Sequence, residues 1–225
     1  MPGPREYGDG ILHRVTKQIY WFLALTVCFI AAVILPFAAT LFLERDASNL
    51  PVFALLLWLC APAVSAAFFT SWRRTQDLDE GPFAAFGEGL KRNWKGALVL
   101  ALPVAVIGGL TSFNFAYGGV AGVPAGFMWA SAGVTVLGLV WLLHALLIHS
   151  QYEFRLRDIA KLGAFYVTAK PLVSLGVISL LVLCTGIVYF TFDAVLVLFG
   201  GVISYLFWNN EKPVLENVRE QFVAQ

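Results

Sequence analysis

Few side chains in this 225-residue chain can do chemistry, and fewer still lie within its apolar runs. His144 stands well inside an uncharged stretch, four residues before Ile148, where an imidazole either donates a hydrogen bond between helices or relays a proton. A lone histidine within a span more often bonds a neighbouring helix than relays a proton, so the hydrogen-bonding role is the expected one. Asp193 is the one acid within an apolar run, at a turn between two such runs, while His13 and His149 fall outside or at the edge. Cys28, Cys60 and Cys184 sit far apart in apolar segments without C-x-x-C spacing and read as small buried hydrophobes, not as a metal or redox set. No H-E-x-x-H, G-x-S-x-G, phosphate-cradling glycine loop or Cys/His cluster occurs, so metalloprotease, hydrolase, ATPase and nicotinamide chemistry lack their parts. An enzyme acting on lipid would have only His144, His149, Asn114 and Asp193 to use, and these belong to opposite sides of a membrane. The expectation is a protein without catalysis, metal or cofactor.

Positioning falls to apolar helices. Hydrophobic residues make up 59% of the chain and charged ones 13%, about half the share of a soluble domain, and mean hydropathy is +0.77, so the apolar excess must face lipid. A net charge of +1 argues against a nucleic-acid partner. Uncharged gaps run over 18–43, 47–72, 96–152 and, with Asp193 inside it, 171–210. A helix needs about 20 residues to cross hydrocarbon about 30 Å thick, so the gaps predict an all-α polytopic bundle of six spans. These are 20–43, 50–71, 96–115, 126–148, 172–191 and 194–209 within one membrane domain, residues 1–225. The Gly-rich stretch Asn114 to Pro124 supplies the turn in the long gap, and flexibility there accounts for Gly118, Gly122 and Gly126. Fourteen of the fifteen Lys and Arg, from Arg5 to Arg219, fall on one side of this layout and only Arg45 on the other. By the positive-inside rule both termini are cytoplasmic.

The basic loops are themselves patterned. Phe83, Phe86, Leu90 and Trp94 share a helical face opposite Glu88, Lys91, Arg92 and Lys95, predicting an amphipathic helix over 82–95, with Asp79 and Glu80 favouring its start. Similar helices are predicted over 155–169 (Leu156, Ile159, Leu162, Tyr166) and 213–223 (Pro213 opening, then Val214, Val218, Phe222). They serve either as a belt on the inner leaflet or as a docking surface for a cytoplasmic partner. Spans one, three and five begin near 20, 96 and 172, a regular pitch that suggests three similar helical hairpins. Pro36, Pro62 and Pro103 fall within spans and can kink them. Around Pro62, the small residues Ala63, Ala66 and Ala67 let a neighbouring helix approach closely.

The segment from Arg45 to Leu98 carries a span ending in Pro62-Ala63-x-x-Ala66-Ala67, a basic pair Arg73-Arg74, a Pro82-Phe83-x-x-Phe86 step and an Asn93-Trp94-Lys95 step. With its Asp-Ala-Ser-Asn-Leu-Pro lead-in to the second span, it resembles the YesL family of bacterial membrane proteins, over roughly residues 15 to 190. Arg157-Asp158-Ile159 to Pro171-Leu172 looks like the second cytoplasmic helix of that family. The resemblance implies a bacterial cell-membrane protein associated with carbohydrate-uptake loci and carries over no catalytic residues. The expected function is accessory, in carbohydrate uptake or envelope processing, with the lipid bilayer, a transporter subunit or a second copy as partner. An alternative is a transporter subunit in its own right, with 82–95 as an ATPase-coupling helix: Ala84-Ala85, Gly89 and Leu102-Pro103 loosely resemble the importer-permease loop. Phe83 in place of Glu, and a Gly-to-Pro spacing one residue too long, depart from that pattern.

Overall fold

The computed structural model describes residues 11–44, 46–76 and 81–223. Arg5, Arg45, Asp79 and Glu80 lie outside the described residues. The described chain is all-helical: α1 (Ile11–Thr40), α2 (Leu50–Leu59), α3 (Ala61–Thr75), α4 (Pro82–Tyr117), α5 (Ala125–Gln151), α6 (Leu156–Ala169), α7 (Pro171–Phe190), α8 (Asp193–Leu198) and α9 (Gly200–Val218), with no strand among the described residues. Five stretches are long and apolar enough to cross a membrane: His13–Thr40, Leu50–Thr75, Pro82–Tyr117, Ala125–Gln151 and Pro171–Phe190. The protein is a membrane-embedded helical bundle.

Three expectations change. The sixth span, 194–209, is divided between α8 and α9, and α9 continues past it through Glu211, Lys212 and Glu216. Its inward face packs against α1, α3, α5 and α7. The segment 82–95 is not a separate surface helix but the first turns of the 36-residue α4. Nothing between Phe83 and Leu102 interrupts the hydrogen-bond ladder, and α4 continues through Pro103, so at 1.5 Å per residue it runs about 54 Å, well beyond the roughly 30 Å of hydrocarbon. Nor does Pro213 open a new helix. It lies inside α9, where burial of Val214, Leu215 and Val218 offsets the lost backbone bond, and one wider π turn, Arg219–Val223, follows. By contrast α6 is a separate amphipathic helix, because Pro171 disfavours helical geometry at Lys170 (φ −125°, ψ 67°). Likewise the second span breaks at Cys60, just before Pro62 near the start of α3.

Buried residues concentrate toward one end. In α4 they stop at Val104 and in α5 they begin at Val140, whereas α2 has none. That end also carries Arg73, Arg74, Arg92, Lys161 and Lys212 and is the basic end of the bundle. At the other end Phe42, Val120, Tyr189 and Phe190 are exposed, and the α4–α5 turn uses Gly122 at φ +71°, a left-handed conformation suited to glycine.

Two helix pairs, α4 with α5 and α7 with α9, share one fastening. His149 of α5 bonds the Asn93 carbonyl of α4 (3.3 Å), lying where a Cβ on Gly96 would be. Asn210 of α9 donates to the Val173 carbonyl of α7 (3.0 Å), lying where a Cβ on Gly176 would be. Each is a polar side chain reaching a carbonyl three residues before a glycine. In the first hairpin the guanidinium of Arg74 on α3 covers the Trp21 ring of α1 at 4.3 Å, and these two residues precede His149 and Gly96 by the same 75 positions.

Close approach also sets the α1–α9 contact, where a Cβ on Gly201 would lie 2.8 Å from the Thr26 backbone nitrogen. Gly201→Ala is therefore expected to lose about 1–3 kcal/mol of stability by overpacking against backbone that cannot rotate away. Gly186→Ala, with open space around it, should leave stability unchanged or slightly raised. Thermal unfolding of both variants in detergent checks this.

Candidate functional site

Glu211 faces inward because α9 runs Ser204, Phe207/Trp208, Glu211, Val214/Leu215, Val218 along one side, the spacing of a single helical face. Docking that face onto α5 and α7 buries the carboxyl completely, and its Oε2 lies 2.7 Å from Nδ1 of His144, also at 0% exposure. The other ring nitrogen, Nε2, lies 3.0 Å from Oγ of Ser174 on α7, and the Ser174 hydroxyl donates in turn to the Val167 carbonyl at the end of α6 (3.0 Å). Four helices thus meet in one polar chain. The sequence shows His144 without a partner because Glu211 is 67 positions away, in a segment assigned to the C-terminal tail. The heptad-like spacing around Glu211 is the signal that would have placed it in the bundle.

Around this chain α9 is tied down further. Tyr152 donates to the Leu215 carbonyl (3.2 Å) and Tyr166 to Oδ1 of Asn217 (2.9 Å), and burial pushes both phenols above the usual range, so both remain donors at neutral pH. Glu211 Oε1 and the Trp208 indole nitrogen are buried without a partner.

The amphipathic stripe of 82–95 divides. Phe86 is buried and Leu90 half-buried in a cluster with Trp21, Leu25, Ala63, Ala66 and Ala67, whereas Phe83, Lys91, Arg92, Trp94 and Lys95 are exposed. The face that α4 presents to the bundle is instead Ala85, Gly89, Asn93 and Gly96, about a quarter turn away at 100° per residue. Small residues let the backbone approach, with a Cβ on Gly89 falling 2.8 Å from the Phe69 ring, and that closeness decides the rotation over the size of the apolar side chains. Ala63, Ala66 and Ala67 are buried on α3 and Pro62 half-buried beside them. On the exposed side Arg92 pairs with Glu153 (3.3 Å), Lys95 lies 5.4 Å from the Trp94 ring, and Arg73 binds Glu88 (2.7 Å). Two hollows open on the outside of the bundle: about 420 Å³ between α5 and α7, lined by Leu139, Ile178 and Leu181, and about 390 Å³ at the basic end, lined by Phe154, Asp158, Lys161, Leu162 and Phe222. Among the described residues no three His, Cys, Asp or Glu side chains converge as metal ligands.

Comparison with family models, with curated proteins and with solved structures finds no match.

Removing one member of a buried pair strands the other. His144→Ala is expected to cost roughly 2–4 kcal/mol, whereas the joint replacement His144→Leu with Glu211→Leu should recover most of that loss. Unfolding midpoints of the single and double variants measure the coupling. Additive losses would show that the two side chains do not act as a pair.

Proposed function

We propose that the chain is a non-enzymatic accessory membrane protein of the YesL type, assisting carbohydrate uptake or envelope processing from the bacterial cell membrane through its basic end. That end faces the cytoplasm in this reading, as the Lys and Arg distribution favours. One observation carries the reading. The start of α4 extends beyond the span and keeps Phe83, Trp94, Lys91 and Lys95 exposed, so apolar and cationic side chains that the bundle does not use stand together on a rigid helix. Such a surface suits a protein partner at the membrane face, and the hollow beside α6, with Asp158 and Lys161 at its rim, adds polar contacts at the same end.

The importer-permease alternative has less in its favour. Gly89, which that motif would present to an ATPase, is pressed against Phe69, and the proposed coupling segment is continuous with a span.

Mild crosslinking in native membranes followed by purification is expected to recover a carbohydrate-transporter subunit. Lys91→Glu with Lys95→Glu should abolish that recovery while shifting stability by no more than about 0.5 kcal/mol, since both side chains are exposed. Recovery of nothing but the protein itself would reject the accessory reading.

A further inference from the structure

The polar chain at His144 fixes where its protons lie. The Ser174 hydroxyl has one hydrogen and two neighbours at 3.0 Å, the Val167 carbonyl and His144 Nε2. Val167 belongs to the last turn of α6, where carbonyls have lost their helical donors, so the hydroxyl hydrogen caps that carbonyl. His144 Nε2 must then carry a hydrogen and donate to Ser174 Oγ. One further proton lies between His144 Nδ1 and Glu211 Oε2. Glu211 Oε1 has no partner and no water-exposed surface. A carboxylate would leave a charged acceptor unsatisfied there, whereas a carboxylic acid leaves only a neutral carbonyl oxygen so, at much smaller cost. With the proton on Oε2, every bond runs one way: Glu211 to His144, His144 to Ser174, Ser174 to the Val167 carbonyl.

We propose that Glu211 and His144 form a proton-binding site whose occupancy Ser174 relays to the junction of α6 and α7. When the site loses a proton, the hydrogen on His144 Nε2 leaves as the proton on Glu211 Oε2 crosses the 2.7 Å to Nδ1. The imidazole then carries its hydrogen on Nδ1 in place of Nε2, keeping a bond to the carboxylate. Ser174 then turns its O–H from the Val167 carbonyl to Nε2. One proton leaves from Nε2, one crosses from Oε2 to Nδ1, and one hydroxyl rotates; no other bond is made or broken. The readout is the uncapped carbonyl at the end of α6, next to the non-helical Lys170.

The charges on the surrounding helices are engaged elsewhere or turned outward. On α3, Arg73 binds Glu88 and Arg74 covers Trp21, and on α5, His149 bonds the Asn93 carbonyl. Lys212 of α9 lies over the Trp208 ring, Glu216 is exposed, Lys170 ahead of α7 is half-exposed, and Asp158 and Lys161 of α6 are exposed. Tyr152 and Tyr166 hold their protons above the usual phenol range. Among the described residues, His144 is the side chain that bonds the Glu211 carboxyl.

Infrared spectra of the protein in lipid vesicles at about pH 6 and about pH 10 test the site. A protonated-carboxyl band is expected at the lower pH, shifted by ¹³C-glutamate labelling, diminished at the higher pH, and missing in Glu211→Gln. A nitroxide on Ala169→Cys, in a background with Cys28, Cys60 and Cys184 replaced by Ala, tests the relay. Its mobility should rise severalfold over the same range in the wild-type site and stay constant in Ser174→Ala. A glutamate band missing at both pH values, a band unchanged by pH, or a label insensitive to pH would each overturn the proposal, and the isotope shift decides the first point even if Glu211→Gln does not fold.

Discussion

A carboxyl group taken out of water must find its hydrogen-bond partner in the protein, and the basic half of this bundle is arranged around that demand. Glu211 has no solvent to turn to, so α9 can dock only where His144 meets it. His144 in turn needs Ser174, and Ser174 reaches the end of α6. The apolar packing of Val140, Ile148, Val177, Val214 and Val218 around the chain is strong but tolerant of small slips along a helix. A 2.7 Å hydrogen bond is not. The polar chain therefore sets the register of α9, and through it the positions of Tyr152 and Tyr166.

The second organising feature is close backbone approach. Gly96 and Gly176 each leave room for a polar side chain from the following helix to reach a carbonyl of the helix they interrupt, and Gly89 and Gly201 let α4 and α9 lie against α3 and α1. In lipid, where apolar burial drives helix association weakly, such contacts carry much of the association energy. Both features lie in the same half of the molecule. The far half, where α2 has no buried residue and those of α5 begin only at Val140, carries threonine and serine contacts such as Thr111 to Thr135 (2.8 Å).

How much of this was legible depended on whether the signal was local. The apolar runs announced the long helices, and the break at Lys170 was written in Pro171. Pro213 looked equally decisive, yet α9 runs through it, because its flanking apolar residues are buried on both sides. The aromatic stripe of 82–95 pointed to a helix lying on the membrane or a partner, but Gly89 and Gly96, silent in a hydrophobicity reading, drew a different face into the bundle. Glu211 was legible only as a tail residue, since the residue that makes its burial tolerable is 67 positions away.

By itself the sequence determined that the chain lives in a membrane, that it is helical, and that its charge gathers on one side, because hydrocarbon thickness and the cost of burying charge act on each segment independently. Only the tertiary structure decided which faces of those helices turn inward and which polar groups meet. Those outcomes depend on pairings across the chain, where a single hydrogen bond or the lack of a Cβ outweighs the hydrophobic pattern of one segment.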